Sequence, residues 1–366
     1  MAGSVFGKQF KVSTFGESHG KALGVVVDGV PAGMDLCEDD IQSMLSRRKP
    51  GQSLYTTKRD EPDQVEILSG VFEGKTLGTP VCMVIFNKDQ KSKDYSAIKD
   101  VFRPGHADFG FFEKYGFRDY RGGGRSSGRE TIGRVCAGAI AKKALESMGI
   151  ELCTYVKSVG PVSISSFDKE EILKNPLYMP DAAACGKAEE YLKACMEEKD
   201  SAGGVVECVI SGMPAGVGEP VFDKLDARLA QAIFSIGAVK GFEVGDGFEA
   251  AALRGSENND SFKVCDGKVT KDTNHAGGIL GGISDGSDIV FRAAFKPTPS
   301  VAKKQYTANE AGEELEIEIS GRHDPVIVPR AVVVVESMAA ITIFDALLEN
   351  MASKMDGIAE FYKKDK

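Results

Sequence analysis

The alternation of apolar and polar positions in the first quarter of the chain predicts short strands around one helix. Strands are predicted over residues 23–30, 65–68 and 79–86, because each apolar run stops at turn-forming or polar residues. Apolar residues at helical spacing predict a helix over residues 38–48, which the Lys-Pro-Gly run at 49–51 ends. This part of the chain is therefore expected to combine a sheet with a helix packed on it.

Three longer helices are predicted in the rest of the chain, over residues 128–147, 222–236 and 338–354. The first is expected to begin with a capping box, because Ser127 and Glu130 have the S-x-x-E spacing, and Gly149 is placed to stop it. Residues 251–253 and 289–295 are predicted to be extended.

The order of these elements favours a mixed fold over a dinucleotide-binding one. Strands and helices do not alternate strictly, and no predicted strand is followed by G-x-G-x-x-G, so a Rossmann site is disfavoured. The stretch 170–200 is irregular and acidic at its end, and is expected to be a surface excursion. No stretch has the composition of a linker, so residues 1–366 are predicted to form one domain.

Composition and charge narrow the class of protein. The chain has 366 residues, of which 42% are hydrophobic and 27% charged, which predicts a folded protein with a sizeable core. Its net charge of −9 argues against a general nucleic-acid binder, which would carry a basic field. Local basic clusters can still bind anionic ligands.

The cellular compartment is predicted from motifs and segments that the sequence does not contain. Eight cysteines occur without a C-x-x-C pair, so neither a zinc site nor a redox dithiol is indicated. The first residues have no apolar signal-peptide core. The most apolar late stretch, 331–348, carries Glu336 and Asp345 and is expected to be too short and too charged to span a bilayer. A reducing cytoplasm, without a membrane partner, is the simplest expectation.

The four histidines indicate acid–base chemistry. His19, His106, His275 and His323 lie in polar segments interrupted by glycine or proline, where catalytic groups are often found. A structural role is the commoner interpretation of any one of them, but all four in such settings favour proton transfer. A zinc cluster is the alternative. It is disfavoured because the spacings are long and no H-x-H or H-x-x-x-H pair occurs.

Arginines are concentrated between residues 103 and 134, where six of the fourteen occur. The guanidinium fork suits phosphate and carboxylate. The run RGGGRSSGRET at 121–131 precedes a predicted helix, so backbone N–H groups and the helix N-terminus would also favour an anion. The alternative is a flexible glycine loop with solvated arginines.

Two further basic runs have equally ordinary explanations. The Arg-Arg-Lys run at 47–49 could contact a ligand or only complement a helix C-terminus. The Lys-Pro-Thr-Pro-Ser run at 296–300 could bind phosphate or only form a turn. Asp324 could orient His323, act as a base, or belong to an Asp-Pro turn. The residues alone indicate an enzyme for a multiply anionic small molecule, and they do not reveal a flavin.

Four motifs, in order, resemble the chorismate synthase family: FGESHG at 15–20, RPGHAD at 103–108, RGGGRSSGRET at 121–131 and GRHDP at 321–325. The likeness runs from about residue 5 to about residue 352. It implies an α+β fold, a single-domain β-α-β sandwich assembled as a homotetramer. It also implies a trans-1,4-elimination of phosphate from 5-enolpyruvylshikimate 3-phosphate, giving chorismate, with reduced FMN and no net redox change.

The resemblance also implies roles for single residues. His19 resembles the acid that protonates the departing phosphate, His106 the histidine that handles a proton on the reduced flavin, and Asp324 the residue that helps to remove the C6 proton through flavin N5. The expected substrate contacts are Ser18, Arg48, Arg129 and Arg322. The expected flavin contacts are Arg125, Ser126, Ser127, Gly237, Ala238, Gly281, Lys296, Pro297, Thr298, Pro299, Ser300 and Arg322, and no metal ligand is expected.

The sequence departs from the family at a few positions. Leu54 stands where many members have a basic residue, which puts one contact to the substrate or to a nicotinamide phosphate (NADP) in doubt; Asp60 and Gly237 are also unusual. No added segment suggests a built-in flavin reductase, so a separate protein is expected to supply reduced FMN. The alternatives are a flavin or nicotinamide oxidoreductase, and a non-enzymatic anion-binding module.

Overall fold

The computed structural model describes residues 3–51, 54–55, 62–87, 99–319 and 324–363. Its helices are α1 (Glu38–Arg48), α2 (Asp108–Tyr115), α3 (Thr131–Ser147), α4 (Ala182–Glu197), α5 (Leu225–Phe234), α6 (Gly255–Asn258), α7 (Val328–Asn350) and α8 (Met355–Phe361). Its strands are β1 (Val5–Phe6), β2 (Lys11–Gly16), β3 (Ala22–Asp28), β4 (Val65–Ser69), β5 (Val71–Phe72), β6 (Lys75–Thr76), β7 (Val81–Phe86), β8 (Glu151–Val159), β9 (Val162–Ser163), β10 (Gly204–Ser211), β11 (Val239–Val244), β12 (Phe262–Cys265), β13 (Lys268–Lys271), β14 (Ile279–Leu280), β15 (Ile283–Ser284), β16 (Ile289–Phe295), β17 (Lys304–Ala308) and β18 (Glu314–Glu318).

Two antiparallel sheets of five strands form the outer layers. The first has the order β1-β2-β3-β7-β4 and the second β11-β16-β10-β8-β9. Strand β16 has the period of two that one buried face requires, because Ile289, Phe291, Ala293 and Phe295 are buried while the residues between them are partly exposed. Each sheet thus presents an apolar face that another layer must cover.

Helices α1, α3, α5 and α7 fill the space between the sheets. Helix α3 packs on β2 and β3 of the first sheet, while α7 packs on β8 and β10 of the second. The two helices also pack closely on each other, because Gly138 has no side chain: a Cβ there would lie 2.2 Å from the Cβ of Ser337. The arrangement confirms the predicted α+β sandwich.

Helix α7 is buried on all sides, which explains its apolar sequence. It has 23 residues and is long and apolar enough to cross a membrane, so the expectation that it is too short was wrong. However, 89% of its most apolar window is buried, as in a core helix. Its two central charges are paired: Glu336 with Arg47 and Lys142, and Asp345 with Arg228.

Most predicted elements are confirmed with small shifts. The helix at 38–48 has the predicted bounds, and the strands predicted at 23–30, 65–68, 79–86 and 289–295 are β3, β4, β7 and β16. The helix predicted at 222–236 is shorter, and the one predicted at 338–354 begins ten residues earlier, at Val328. Gly149 has the positive φ (76°) of a helix stop.

Three further expectations were wrong. Residues 251–253 are not extended, because Gly247–Ala252 is a 3-10 helix. The stretch 170–200 contains α4, which Asp181 caps by accepting a hydrogen bond from the backbone N of Ala184. The capping box of Glu130 does not form, since its carboxylate turns instead to Thr14 and Arg134.

Candidate active site

His19 lies in the turn that joins β2 to β3. Its ring is buried, and its Nδ1 is 3.2 Å from the Oγ of Ser18. The arginine-rich loop covers it at Gly122, whose φ is 148° and where a Cβ would lie 2.5 Å from Nδ1 of His19. Only glycine fits at that point, so two of the predicted motifs meet at the imidazole.

His106 is held by hydrogen bonds at both ring nitrogens. Its Nδ1 lies 3.0 Å from the carbonyl oxygen of Pro104, and its Nε2 lies 2.9 Å from the Oγ of Ser300. Because a carbonyl can only accept, Nδ1 carries a proton in this geometry, and a neutral ring accepts from Ser300 at Nε2. Lys296 also donates to the carbonyl of Gly105 at 2.7 Å. The structure therefore brings His106 to the 296–300 run.

A buried carboxylate joins the two arginines expected to bind substrate. Nη2 of Arg48 donates to Oδ2 of Asp63 at 2.6 Å, and Nη1 of Arg129 donates to Oδ1 at 2.9 Å. Arg48 is only 1% exposed, and burial lowers the pKa of its guanidinium to about 10 although Asp63 opposes that shift. Burial disfavours the charge of Asp63 too, yet Arg48 and Arg129 hold its pKa below the ordinary value.

Asn87 connects these arginines to the His19 turn. Its Oδ1 accepts from Nε of Arg129 at 2.7 Å, and its Nδ2 donates to the carbonyl of Gly20 at 2.9 Å. A longer bond of 3.4 Å reaches the carbonyl of Glu17. The amide thus fixes the loop that carries His19 relative to Arg129.

Arg330, in the first turn of α7, extends the network to Asp324. Its Nη1 donates to Oδ2 of Asp324 at 2.5 Å, and its Nε donates to the carbonyl of Arg48 at 3.0 Å. His19 and Asp324 are therefore joined by one chain of contacts through Asn87, Arg129, Asp63, Arg48 and Arg330.

A second path leads from His106 to Asp324. Ser201 donates from Oγ to the carbonyl of Thr298, in the run that contacts His106, at 2.7 Å. Its neighbour Ala202 donates from its backbone N to the carbonyl of Pro325, the residue after Asp324, at 2.8 Å. All three predicted catalytic residues thus belong to one connected region.

The six arginines of the 103–134 window are already paired with carboxylates within the chain. The pairs are Arg103 with Asp108, Arg118 with Asp108 and Glu310, Arg121 with Asp119, Arg125 and Arg134 with Glu130, and Arg129 with Asp63. Neither of the two simple interpretations, an anion site or solvated arginines, describes them fully. An anion bound at these arginines would have to share them with the protein's own carboxylates.

The RSS run at 125–127 stabilises its own loop. Arg125 donates to the carbonyl of Gly16 and to both the carbonyl and the hydroxyl of Thr14. Ser126 donates to the carbonyl of Gly123, while Ser127 accepts from the backbone N of Arg129 at 3.3 Å. These contacts place the loop beside β2, next to the His19 turn.

The expected flavin residues fall into separate groups. The backbone N of Lys296 donates to the carbonyl of Ala238, next to Gly237. Gly281, in contrast, lies at the other end of α5, where Gly282 contacts Lys224 and accepts from the backbone N of Leu225. Ten helical residues, about 15 Å, separate these two groups. Arg322 and His323 lie outside the described residues.

The 296–300 run has a donor set that fits a polar, anionic cofactor. Thr298 has a buried hydroxyl without a hydrogen-bond partner among the described residues, an arrangement that a bound ligand would complete. Lys296 and Ser300 add an ammonium and a second hydroxyl. Within the same described ranges, no group of three or more His, Cys, Asp or Glu side chains is placed to hold a metal ion.

Sequence reasoning missed three members of the network: Asp63, Asn87 and Arg330. Asn87 could have been noticed, because it is the polar residue that ends the apolar strand β7. Arg330 is the one charged residue in the first turn of α7. Asp63 carried no such signal, since it stands among several charged residues.

Comparison with known proteins agrees over nearly the whole chain. The family model described as chorismate synthase matches residues 10–348. Chorismate synthase of Agathobacter rectalis is 68% identical over 366 residues and covers 100% of both chains. That of Methanosarcina mazei is 56% identical over 355 residues, which is 96% of this chain and 97% of the relative. A crystal structure of chorismate synthase, 33% identical, matches with a TM-score of 0.77 over 97% of this chain and 96% of the other.

Proposed function

Since the chain belongs to the chorismate synthase family and converts 5-enolpyruvylshikimate 3-phosphate into chorismate and phosphate, we propose that His19, His106 and Asp324 are its catalytic residues. The observation that supports this assignment is the hydrogen-bonded network, which joins the His19 turn to Asp324 through two arginines suited to an anionic substrate.

The reaction is a trans-1,4-elimination with no net redox change, and the family uses a reduced flavin, which we propose to be FMN. The C6 hydrogen of the substrate is not acidic, so a general base alone faces a high barrier. When bound, reduced flavin supplies electron density that helps to expel phosphate and recovers it as the C6 hydrogen leaves.

His19 is proposed as the acid that protonates the departing phosphate. Its ring is buried beside Ser18 and Gly122, which restricts its orientation and keeps bulk water from the imidazole. Ser18, on the same turn, is proposed to contact the substrate. Arg48, Arg129 and Arg322 are proposed to bind its anionic groups, since guanidinium groups match phosphate and carboxylate.

His106 and Asp324 are proposed to act on two other protons: His106 on a proton of the reduced flavin, and Asp324 on the C6 proton of the substrate. The hydrogen bond from Nδ1 of His106 to Pro104 fixes the tautomer, so the proton exchanged would be at Nε2, where Ser300 is now bound. Asp324 is held as a carboxylate acceptor by Arg330 and is proposed to assist in removing the C6 proton.

The proposed flavin contacts are those expected from the sequence. The buried hydroxyl of Thr298, which has no hydrogen-bond partner among the described residues, supports the 296–300 group most directly. The separation of Gly281 from Ala238 within one chain supports a binding site to which more than one subunit contributes. The proposed flavin residues are Arg125, Ser126, Ser127, Gly237, Ala238, Gly281, Lys296, Pro297, Thr298, Pro299, Ser300 and Arg322.

The chain belongs to a family of soluble biosynthetic enzymes. We further propose that it forms one domain over residues 1–366, assembles as a homotetramer in the cytoplasm, and receives reduced FMN from a separate flavin reductase. One continuous hydrophobic core that includes residues of both sheets and of α7 supports the single domain.

The proposal is tested by measuring how many chorismate molecules form per FMN molecule oxidised. We expect many chorismate molecules and an equal amount of phosphate per FMN oxidised, when the enzyme is given 5-enolpyruvylshikimate 3-phosphate and reduced FMN anaerobically. A ratio near one would indicate an oxidoreductase that consumes its reductant. Oxidised FMN, as the matched control, should support no turnover.

A further inference from the structure

Asp63 occupies an unusual position in the network. Its side chain is 0% exposed, although it lies outside regular secondary structure. Its φ of 47° is left-handed, which costs energy for a residue other than glycine. Such a conformation persists only where the surroundings hold it in place.

Helix α1 supplies that support through Gln42. The Nε2 of Gln42 donates to the carbonyl of Asp63 at 3.2 Å, and its Oε1 accepts from the backbone N of Val65 at 3.1 Å. One side chain thus holds the backbone on both sides of residue 64. The same helix ends at Arg48, so it positions both partners of the Arg48–Asp63 pair.

The carboxylate of Asp63 uses both of its oxygens to hold two guanidinium groups. Oδ2 accepts from Arg48 and Oδ1 from Arg129. Arg48 and Arg129 would otherwise repel each other in a site of low dielectric constant, and the charge of Arg129 lowers the pKa of Arg48. Nε of Arg48 is buried without a hydrogen-bond partner in the described part of the chain, and Nη1 donates to the carbonyl of Gly128 at 3.3 Å, so Asp63 supplies the shorter and the only charged contact of this guanidinium among those residues.

We propose that Asp63 is a positioning residue for substrate binding: by bridging Arg48 and Arg129 it fixes the Arg129 guanidinium in the orientation that receives an anionic group of the substrate. This inference rests on the proposed assignment of these arginines to substrate. Asn87 holds the opposite side of Arg129, at Nε, so the guanidinium is fixed at two of its nitrogens.

A purely electrostatic role predicts the opposite result, which makes the inference testable. If Asp63 only neutralised the arginines, removing its charge would make the site more positive and tighten binding of an anion. If Asp63 positions Arg129, removing it loosens the guanidinium and weakens binding despite the added positive charge. The direction of the change in substrate affinity therefore separates the two roles.

The decisive variants are Asp63→Asn, which removes the charge at constant size, and Asp63→Glu, which keeps the charge but displaces it by one methylene. We expect both variants to bind the substrate more weakly, with a higher Kd and a higher KM, and Asp63→Asn by about tenfold or more. We expect kcat to fall by a smaller factor, because the acid–base groups are retained. Affinity is measured by calorimetry on the full chain with oxidised FMN present, so that no turnover occurs.

The matched control is Asp345→Asn. Asp345 is also a buried carboxylate paired with an arginine, Arg228, but it lies fifteen residues along α7 from Arg330, about 22 Å away. Asp345→Asn should lower the melting temperature and leave the Kd unchanged. If Asp63→Asn does not fold, Asp63→Glu decides alone.

Arg129→Met separates failure of this inference from failure of the proposed function. If Arg129→Met binds substrate as tightly as the wild type, the assignment of the arginines is wrong and the inference fails with it. If Arg129→Met weakens binding while a folded Asp63 variant binds with unchanged or higher affinity, only the positioning role of Asp63 is overturned.

Discussion

Replacing Gly122 with alanine is expected to disable His19 while every group proposed to take part in proton transfer keeps its chemical identity. The new Cβ would lie 2.5 Å from Nδ1 and 2.6 Å from Cε1 of the His19 ring, and 3.2 Å from the Oγ of Ser18. Ordinary contacts are 3.4–4 Å, so the imidazole must move by about 1 Å, or the loop must move away. Movement of the imidazole breaks its alignment with Ser18, and movement of the loop removes the contact that restricts the ring.

The size of the effect follows from that displacement. A misplacement of about 1 Å at a reacting group can lower the rate by about 10²-fold. The backbone adds a separate cost, because φ at Gly122 is 148°, and such strain costs on the order of 1–3 kcal/mol for a residue with a side chain. We therefore expect a folded variant with a lower melting temperature, and a loss of turnover larger than its loss of stability would explain.

Gly33→Ala is the matched control. Gly33 also has a positive φ, of 85°, but a Cβ there would have no atom within 4 Å. It should show the loss of melting temperature without the loss of turnover. The assay is phosphate release from the enolpyruvyl substrate under anaerobic conditions with saturating reduced FMN. If Gly122→Ala and Gly33→Ala had equal turnover, the position of His19 in this structure would not matter for catalysis.

Two further predictions use the same assay or its substrate. His19→Ala and His106→Ala should each lower turnover by roughly 10²–10⁴-fold with the fold intact. His275→Asn, which loses a contact to Asp246, should have a milder effect. Near-wild-type turnover of His19→Ala or His106→Ala would show that the histidine concerned has no catalytic role. Leu54→Arg should tighten binding of the substrate or of a reduced nicotinamide phosphate by about 1 kcal/mol, because Leu54 is 79% exposed and leaves room for a cation. Both ligands are titrated at two salt concentrations, and unchanged affinity for both would contradict this prediction.

Local patterns in the sequence predicted the elements that depend on local interactions. Helix α1 was predicted with its observed bounds because its apolar residues recur at helical spacing and the Lys-Pro-Gly run at 49–51 ends it. Helix α4 was missed although its N-cap contact, from the backbone N of Ala184 to Asp181, is local. Only the further bonds that Asp181 accepts from the backbone of Ser165 and Ser166 lie beyond a local pattern. The short apolar run at 251–253 fits a strand or a helical turn equally well, and Gly247 lets the chain form the turn.

The motif histidines and arginines could be found from the sequence, but their partners could not. Asp63 meets Arg129 across 66 residues, and Asn87 meets the carbonyl of Gly20 across 67. Contacts of that range are set by the packing of α1, α3 and the first sheet, and periodicity carries no information about them. A cluster of arginines in the sequence therefore indicated an anion site but not how its charges are balanced.

Among the described residues, the charges around Asp63 and Asp324 nearly cancel before any substrate binds. Arg48, Arg129 and Arg330 face these two carboxylates, so in this part of the chain three formal positive charges meet two negative ones. The substrate brings a phosphate and two carboxylates, whose charge far exceeds that difference. Burying such an anion requires further cations. Since the six arginines of the 103–134 window are each paired within the described chain, some of those cations must come from outside these pairs. Arg322, which lies outside the described residues, is one proposed source of such a cation. A neighbouring subunit of the proposed homotetramer is a second, and in that case assembly and substrate binding would depend on the same charges.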